Sequence, residues 1–236
     1  MNIMNNVFLS GETIDLCIPM DDDFEQWAGW FNSQKTTQFL EQGKYPNTPD
    51  QQRLFYQQAL ASGRFLTLIK TKDAELLGVI SLSEIDDQKS SCQIALVCPE
   101  KSKSARLAPL EAMALCTQHA FDRFGLQRVS AGHAYPGLVK WVQKREILGF
   151  KTDGVIPQSF RHGRMMSDSI RTSITYDRYV LLIKRRNGML WPGEDKAKRM
   201  LAALKSQKSL AQHVHEAIKS LHRQHDDLLA EIEKNA

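Results

Sequence analysis

The order of hydrophobic periods along the chain is the feature that most constrains its fold. Apolar residues recur at helical spacing over about 21–32 and 49–62, and they then alternate at a period of two over 65–69, 76–82 and 92–97. Further along, helical and strand patterns interleave without strict alternation. This order predicts a layered fold in which a mixed sheet carries helices on both faces.

Turn and capping residues mark the ends of these segments. Ser10-Gly11 is a turn within the first apolar segment, Val7–Ile18, which has strand character. Thr48-Pro49-Asp50-Gln51 is a capping box with proline at the first helical position, so the helix that follows should end at Gly63. The remaining segments are predicted as a helix over 107–124 that ends at Gly125, a strand over 127–131, a short helix over 136–148 that ends at Gly149, and strands over 150–155 and 169–183 around a loop with His162-Gly163.

Composition narrows the class of protein. The chain has 236 residues, 42% hydrophobic and 25% charged, which is typical of a soluble globular protein of one or two domains and excludes a collagen-like or wholly disordered chain. Its four cysteines form no Cys-x-x-Cys pair, which indicates reduced and mostly buried thiols. No apolar run reaches 18 residues, and the N-terminus lacks the pattern of a secretory signal. We therefore expect a cytoplasmic protein without a membrane partner.

The charge of the chain is small overall but locally uneven. A net charge of +4, from 31 basic and 27 acidic residues, does not indicate binding to nucleic acid. Between Lys140 and Arg164, however, six basic residues stand against two acidic ones, and a second cluster precedes them: Lys140, Lys144, Arg145, Lys151, Arg161 and Arg164 against Glu146 and Asp153, and earlier Lys101, Lys103 and Arg106. These clusters are either solvated surface or a site for a small polyanionic ligand.

The last fifty residues have a pattern of their own. Residues 187–193 break the preceding pattern, and 194–236 contain neither glycine nor proline. A seven-residue repeat runs through this tail, with seven of nine seam positions apolar: Leu204, Ala211, Ile218, His225 and Ile232 at one position and Gln207, Val214, Leu221 and Leu228 at the other. We predict a domain over 1–186, a linker over 187–193 and a coiled-coil-like helical tail over 194–236, which pairs with a second subunit or folds back on its own domain. The four histidines of the tail lack partners at metal-ligand spacing, so no metal is expected.

A set of short segments, in a fixed order, resembles the GCN5-related N-acetyltransferases. The segments are Phe8-Leu9-Ser10-Gly11-Glu12-Thr13-Ile14-Asp15-Leu16, Trp30-Phe31-Asn32, Thr37-Gln38-Phe39-Leu40, Thr48-Pro49-Asp50-Gln51-Gln52, Leu110-Glu111-Ala112-Met113, Ala120–Val129 and Glu146-Ile147-Leu148-Gly149-Phe150-Lys151. The resemblance covers about residues 7–186 and is strongest to the branch of ribosomal-protein N-terminal and nucleotide-aminosugar acetyltransferases. It implies an α+β fold with a twisted, mostly antiparallel sheet and acetyl-CoA-dependent transfer to an amine.

The resemblance also implies where acetyl-CoA binds. Members of the family lay the pantetheine arm between two splayed parallel strands, here Cys92–Val97 and Gln127–Ala131, and the pyrophosphate on a loop that enters a helix. The implied cofactor-binding residues are Ile94, Leu96, Val97, Lys101, Ser102, Lys103, Ser104, Ala105 and Arg106. Ala105 and Leu107 stand where the family normally has glycines, so a loop that has lost phosphate binding is the alternative.

The usual acid and base of the family are also replaced. Gln93 stands in the place of a frequent glutamate, Arg145 in that of a tyrosine and Leu138 in that of an asparagine. The catalytic candidates that remain are Glu84, Asp86, Tyr135 and His162, with His133 and Asp168 behind them. By the same resemblance the acceptor amine would contact Trp30, Asn32, Phe39, Tyr45 and Arg164, although core packing is the alternative for Trp30 and Phe39.

Two functions of different classes follow from these residues. The first is an N-acetyltransferase that acts by direct transfer on a primary amine, with a nucleotide-linked aminosugar preferred because the basic stretch could neutralise a diphosphate, and a protein N-terminus as the second choice. The other is a non-catalytic GNAT-like protein retained for CoA binding or assembly. In both cases we expect a homo-oligomer formed through the C-terminal helix.

Overall fold

The computed structural model of the chain describes residues 6–40, 43–204 and 208–235, except the side chains of His162 and Asn235. These ranges contain eight strands: β1 (Val7–Ser10), β2 (Ile14–Cys17), β3 (Phe65–Thr71), β4 (Leu76–Asp86), β5 (Ser91–Val97), β6 (Arg128–Tyr135), β7 (Lys151–His162) and β8 (Met165–Thr175). They also contain eight α-helices: α1 (Asp23–Asn32), α2 (Gln34–Thr37), α3 (Pro49–Ala61), α4 (Ala108–Asp122), α5 (Val139–Arg145), α6 (Tyr176–Lys184), α7 (Glu194–Leu204) and α8 (Leu210–Asn235). A 3₁₀ turn over Glu146–Leu148 continues α5.

All eight strands belong to one sheet, in the order β1-β2-β3-β4-β5-β6-β8-β7. The β5–β6 pair is parallel, and each of the other six neighbouring pairs is antiparallel. The α+β fold with a mixed, mostly antiparallel sheet is therefore confirmed.

Helices cover both faces of the sheet because its strands alternate their side chains. On one face, α4 packs Leu110 and Met113 against Ile80 and Leu82 in the main core. On the other face, α1 and α3 enclose a smaller core that includes Trp27, Leu66, Leu68 and Val79. The helices on both faces were predicted, and they leave the central strands buried between them.

Local capping signals are realised as the sequence predicts. The hydroxyl of Thr48 accepts a hydrogen bond from the backbone N–H of Gln51, and the Gln51 side chain accepts one from the N–H of Thr48. Gly125 and Gly149, which follow α4 and the 3₁₀ turn, have φ angles of +64° and +94°. These left-handed conformations favour glycine, which explains why both helical segments end there.

The strand predicted over 169–183 is wrong beyond residue 175. β8 ends where Thr175 pairs with Arg128, the first residue of β6, and the chain continues as the helix α6. The apolar run in α6 has three- and four-residue spacing, and the Tyr179 ring stacks on Phe121 with 4.7 Å between centroids. A short apolar run has no decisive period, so tertiary packing decides between strand and helix.

The loop predicted around His162-Gly163 is shorter than expected. β7 extends to His162 and β8 begins at Met165, so the two strands form one long antiparallel hairpin joined by a two-residue turn. The side chain of His162, a catalytic candidate, lies outside the described residues.

The tail over 194–236 and the residues just before it pack on the domain at first, and the later part of the tail is exposed. Leu190, Trp191 and Ala197 are buried in the main core, and the Trp191 indole N–H donates to Glu12 Oε2 at 2.7 Å. On α8, Ala211 and His215 are buried, while the later seam positions Leu221, Leu228 and Ile232 are exposed and Gln207 lies outside the described residues. The division of the chain at 186 and 194 and the coiled-coil partner stay predictions.

In the part of the chain that the structure describes, none of the helices combines the length and apolar character that a membrane span requires.

Candidate active site

The parallel strands β5 and β6 diverge in the middle of the sheet. They pair at Ser91↔Arg128, Cys92↔Val129 and Gln93↔Ser130, and beyond this point they separate. β5 stays paired with β4 as far as Val97, and β6 stays paired with β8 as far as Tyr135. The inner edges of both strands therefore face a gap with unpaired backbone groups, which an extended ligand can use as an added strand would.

A cleft of about 1520 Å³ passes through this gap. Ile94 and Leu96 line it on the face of the sheet that carries α4, and Val97, which pairs with Val79, lines it on the face that carries α1. Leu110, Met113, Leu138 and Trp141 from α4 and the α5 segment complete an apolar wall. The structure thus brings together the three strand residues that were assigned to the cofactor.

The loop over 101–107 lies at the open end of the gap, between β5 and α4. Among the described residues, none of its backbone N–H groups has a hydrogen-bond partner. Its side chains do not crowd these groups, because Ala105 is buried in the main core and Lys101, Lys103, Ser104 and Arg106 are exposed, while the Ser102 and Ser104 hydroxyls lie 2.9 Å apart. Free amides before a 15-residue helix suit an anion. Arg106 also lines the cleft.

The two candidate carboxylates lie in different places. Glu84 sits at a bulge in β4 with a φ of +51°, lines the cleft and accepts a hydrogen bond from the side-chain amide of Gln93. Asp86 is outside this cleft, where its carboxylate accepts from the backbone N–H of Lys89 at 2.8 Å and pairs with the Lys89 ammonium at 3.1 Å. The backbone hydrogen bond and the ammonium lower the pKa of Asp86, which weakens it as a base.

Three other candidates lie away from the cleft. The Tyr135 ring packs on His215 of α8 with 4.1 Å between centroids, and burial raises the pKa of its hydroxyl. Asp168 lies 2.9 Å from Nε2 of the same histidine, so both residues hold the tail on the domain. Arg164 is exposed in the turn between β7 and β8.

Of the residues assigned to the acceptor amine, some line the cleft and others do not. Trp30 lines the cleft, and its indole N–H donates to Glu100 Oε1 at 3.0 Å. Phe39 and the exposed Tyr45 also line the cleft, and the Phe39 ring lies against Gly137, where a Cβ atom would collide with it. Asn32 does not line the cleft, because its amide exchanges two hydrogen bonds of 2.8 Å with the backbone of Asn47.

Two further residues line the cleft: Arg145, which the sequence analysis did not name as a candidate, and His133, which it did. Arg145, at the end of α5, is fully buried and donates from Nη2 to Thr172 Oγ1 at 2.9 Å, and its Nε and Nη1 have no partner among residues 6–40, 43–204 and 208–235. Burial lowers its pKa to about 9. His133 on β6 has an unpartnered Nε2, and burial and the Arg145 charge hold its pKa well below the usual value. The available signal was the helical spacing of Leu138, Val142 and Arg145, which puts an arginine on the buried face of a short helix.

The charge of the cleft is strongly positive. Two carboxylates, Glu84 and Glu100, line it against seven cations: Lys35, Lys44, Arg64, Arg106, Lys144, Arg145 and Arg171. In the described part of the chain none of these seven forms an ion pair. Within the same ranges, no group of three or more His, Cys, Asp or Glu side chains could hold a metal ion.

Comparisons with known proteins agree with this geometry. The sequence profile of the acetyltransferase (GNAT) domain matches residues 16–135, just over half of the chain. No protein with a curated description matches the sequence.

Solved structures with a similar fold include several acetyltransferases. A spermidine N-acetyltransferase from Vibrio cholerae in complex with CoA and spermine is 16% identical, with a TM-score of 0.62 over 72% of this chain and 99% of that one. The microcin C7 self-immunity acetyltransferase MccE in complex with acetyl-CoA and AMP is 17% identical, with a TM-score of 0.59 over 70% and 93%. A probable acetyltransferase is 20% identical, with a TM-score of 0.60 over 71% and 95%. At these identities the similarity shows the fold.

Proposed function

Since this chain belongs to the GNAT acetyltransferase family, we propose that it transfers an acetyl group from acetyl-CoA to the primary amine of a small anionic molecule. The observation that carries the proposal is the gap between β5 and β6, which opens from a paired apex toward a loop of free backbone amides.

The residues of the gap fit the shape and charge of acetyl-CoA. The inner edges of β5 and β6 offer hydrogen bonds to the amide groups of the pantetheine arm, and the wall with Ile94, Leu96 and Met113 is apolar. The amides of 101–107, with Lys101, Lys103 and Arg106, would hold the pyrophosphate. Acetyl-CoA supplies an activated thioester, so the task left to the protein is to place an amine against it.

Direct transfer is supported by the state of the cysteine that lines the cleft. Burial raises the pKa of Cys98 to about 12, with a smaller contribution from Glu100. The thiol is therefore protonated at neutral pH, and a protonated thiol is a poor nucleophile. Glu84 is an exposed carboxylate of the cleft, whereas Glu100 accepts a hydrogen bond from the Trp30 indole. We therefore assign to Glu84, or to a water it orients, the proton of the attacking ammonium.

The charge of the cleft supports an acceptor that carries a phosphate or carboxylate. Arg64 and Arg171 lie on the face of α1 and α3: Arg64 donates to Ser81 Oγ at 2.7 Å, and Arg171 lies against Gly132. Neither has a carboxylate partner in the described residues. Guanidinium groups without a carboxylate partner favour an anion, which supports a nucleotide-linked aminosugar, whereas a polycation such as spermidine would be repelled.

A panel of amines tests this function directly. The chain is mixed with acetyl-CoA and a nucleotide-linked aminosugar, a peptide with a free N-terminus, or spermidine, and release of free thiol is followed. We expect turnover with the anionic aminosugar and none with spermidine. If the peptide is the one amine of the panel that is acetylated, the acceptor is a protein N-terminus instead.

The second candidate function is binding without catalysis. It is favoured by the loop that lacks glycines and by the absence of the usual tyrosine at position 145. If the chain binds acetyl-CoA but releases no thiol with any amine of the panel, this candidate replaces the first.

We place the protein in the cytoplasm, since Cys17, Cys92, Cys98 and Cys116 are all free thiols, which persist in a reducing compartment.

The exposed part of α8 supports a homodimer through the tail. Leu221, Leu228 and Ile232 form an exposed apolar stripe at seven- and four-residue spacing. The charge along residues 219–233 is divided, because cations precede acids: Lys219 and Arg223, then Asp226, Asp227, Glu231 and Glu233. Two copies packed antiparallel would put the cations of one helix opposite the acids of the other. The full chain should therefore have twice the subunit mass in solution, and the double variant L221D/L228D should have the mass of one subunit. A wild-type chain with the mass of one subunit would refute the dimer.

A further inference from the structure

Arg145 is a buried cation for which the described part of the chain supplies no anion. Its side chain is fully buried, and only Nη2 donates a hydrogen bond, to the neutral hydroxyl of Thr172. The donors Nε and Nη1 have no partner. A buried charge without a partner destabilises the folded state, so its presence in the cleft points to a ligand that carries the missing negative charge.

The groups that face Arg145 add no negative charge. On α5 and β6 these are Lys144 and the neutral His133, and Arg171 lies beyond on β8. The Phe150 ring lies 5.4 Å from the guanidinium carbon. The next residue, Glu146, directs its carboxylate to the backbone N–H of Leu210 at 3.1 Å and forms no ion pair with Arg145.

The position of Arg145 along the gap is fixed by its partner. Thr172 pairs with Ala131 and donates to the Ala131 carbonyl at 3.3 Å. Ala131 directly follows Ser130, the last residue of β6 that pairs with β5. Arg145 therefore lies at the closed end of the gap, and the loop over 101–107 lies at the open end. Four steps along β5, from Gln93 to Val97, separate the two, about 13 Å at the usual rise of a strand.

We propose that Arg145 is a catalytic residue that stabilises the negative charge on the sulfur atom when the acetyl group leaves it. The inference rests on the proposed function, because a ligand with its phosphates on the 101–107 loop would put its far end beside Arg145. In the transfer the amine nitrogen bonds to the acetyl carbon, the bond from that carbon to sulfur breaks, and its electron pair stays on sulfur. The amine proton passes to Glu84 or water, and Arg145 keeps its own proton while Nε–H and Nη1–H donate to the sulfur.

The state of the guanidinium is compatible with this role. Burial lowers the pKa of Arg145 to about 9, so the side chain is still a cation at pH 7. The cation is desolvated, and an opposite charge that develops beside it is stabilised more strongly than in water.

The test compares CoA with desulfo-CoA, which lacks the thiol, by titration calorimetry between pH 6.5 and 8.5. A free thiol has a pKa of about 8.5, so bound thiolate should form at lower pH beside Arg145. We expect wild-type affinity for CoA to exceed that for desulfo-CoA by about fivefold at pH 8.5, which corresponds to a thiol pKa about one unit lower when bound. In R145M the two ligands should bind equally at every pH, and kcat should fall about 100-fold.

Further variants separate the proposed role from a structural one. R145M should melt at the same temperature as the wild type or higher, because it removes an unpaired buried charge. R145K keeps the charge and should retain part of the preference for CoA. K140M, at an exposed position of the same helix, should behave as wild type. Equal affinity of the wild type for both ligands, or an R145M chain that does not fold, would overturn the inference. Failure of the wild type to bind either ligand would instead refute the proposed function.

Discussion

Glu111 joins α4, the helix that follows the 101–107 loop, to the turn between β1 and β2. Its buried carboxylate accepts hydrogen bonds from the backbone N–H groups of Glu12 and Thr13 and, at 2.5 Å, from the Thr13 hydroxyl. Gly11 lies so close to this carboxylate that a Cβ atom would collide with it. A single side chain thus fixes the position of α4 against the edge of the sheet.

The cost of removing this carboxylate can be worked from its partners. In the variant Glu111→Ala, the two backbone N–H groups lose their acceptor, and each buried donor left unsatisfied costs roughly 1–3 kcal/mol. Because both groups are only partly buried, we expect the free energy of unfolding to fall by about 3 kcal/mol, a large share of the roughly 5–15 kcal/mol that a domain has in total. Glu111→Gln keeps one oxygen as an acceptor and should lose about half as much.

Urea unfolding followed by tryptophan fluorescence measures these differences. The control is Gln57→Ala, at an exposed position of α3, which should change the free energy of unfolding by less than about 0.5 kcal/mol. A loss below about 1 kcal/mol for Glu111→Ala would refute the reasoning, since it would mean that the amides find water or another acceptor.

Three further predictions concern the loop, the acceptor side and the tail. Ser104→Asp adds a negative charge beside the free amides and should weaken CoA binding about tenfold in calorimetry, without a lower melting temperature. Unchanged affinity would show that the phosphates of CoA do not bind at this loop. Gly137→Ala should displace the Phe39 ring and raise KM for the acceptor more than KM for acetyl-CoA, whereas equal effects would show a general disturbance of the fold. The hydrogen bond from His215 holds the pKa of Asp168 below its usual value of about 3.9. The stabilisation from this contact should therefore be complete above about pH 4. It should be lost as the pH falls through the pKa that Asp168 has in the folded state. Proteolysis of α8 should then rise below about pH 4 in the wild type and at pH 7 in His215→Ala; equal cleavage of both chains at pH 7 would contradict this contact.

Local signals explain why much of the fold was predictable. The capping box at Thr48, the glycines after α4 and the 3₁₀ turn, and the period-two segments are short-range features, and each is realised in the structure. The run over 176–183 was misassigned because its residues satisfy both periods, and its contact with Phe121 lies far away in sequence. Sequence alone does not contain the packing that decides such cases.

The strands and the loop of the candidate site were predictable, but the surroundings of its charged side chains were not. The splayed strands and the loop came from the resemblance, and Glu84, Trp30, Phe39 and Tyr45 do line the cleft. Contacts between distant segments explain the rest. Tyr135 packs on a histidine that is 80 residues away in sequence, and Arg145 donates to Thr172 of β8, 27 residues away. The sequence alone does not distinguish a buried arginine from the exposed basic residues of the same stretch.

The measurement that tests the account most directly is a crystal structure of the chain with CoA bound. We predict that the pantetheine arm lies between β5 and β6, that the pyrophosphate accepts hydrogen bonds from backbone N–H groups of the 101–107 loop, and that the sulfur atom lies within hydrogen-bond reach of Arg145. CoA bound outside this gap, or a gap closed by pairing of Ile94–Val97 with Ala131–Tyr135, would contradict the account.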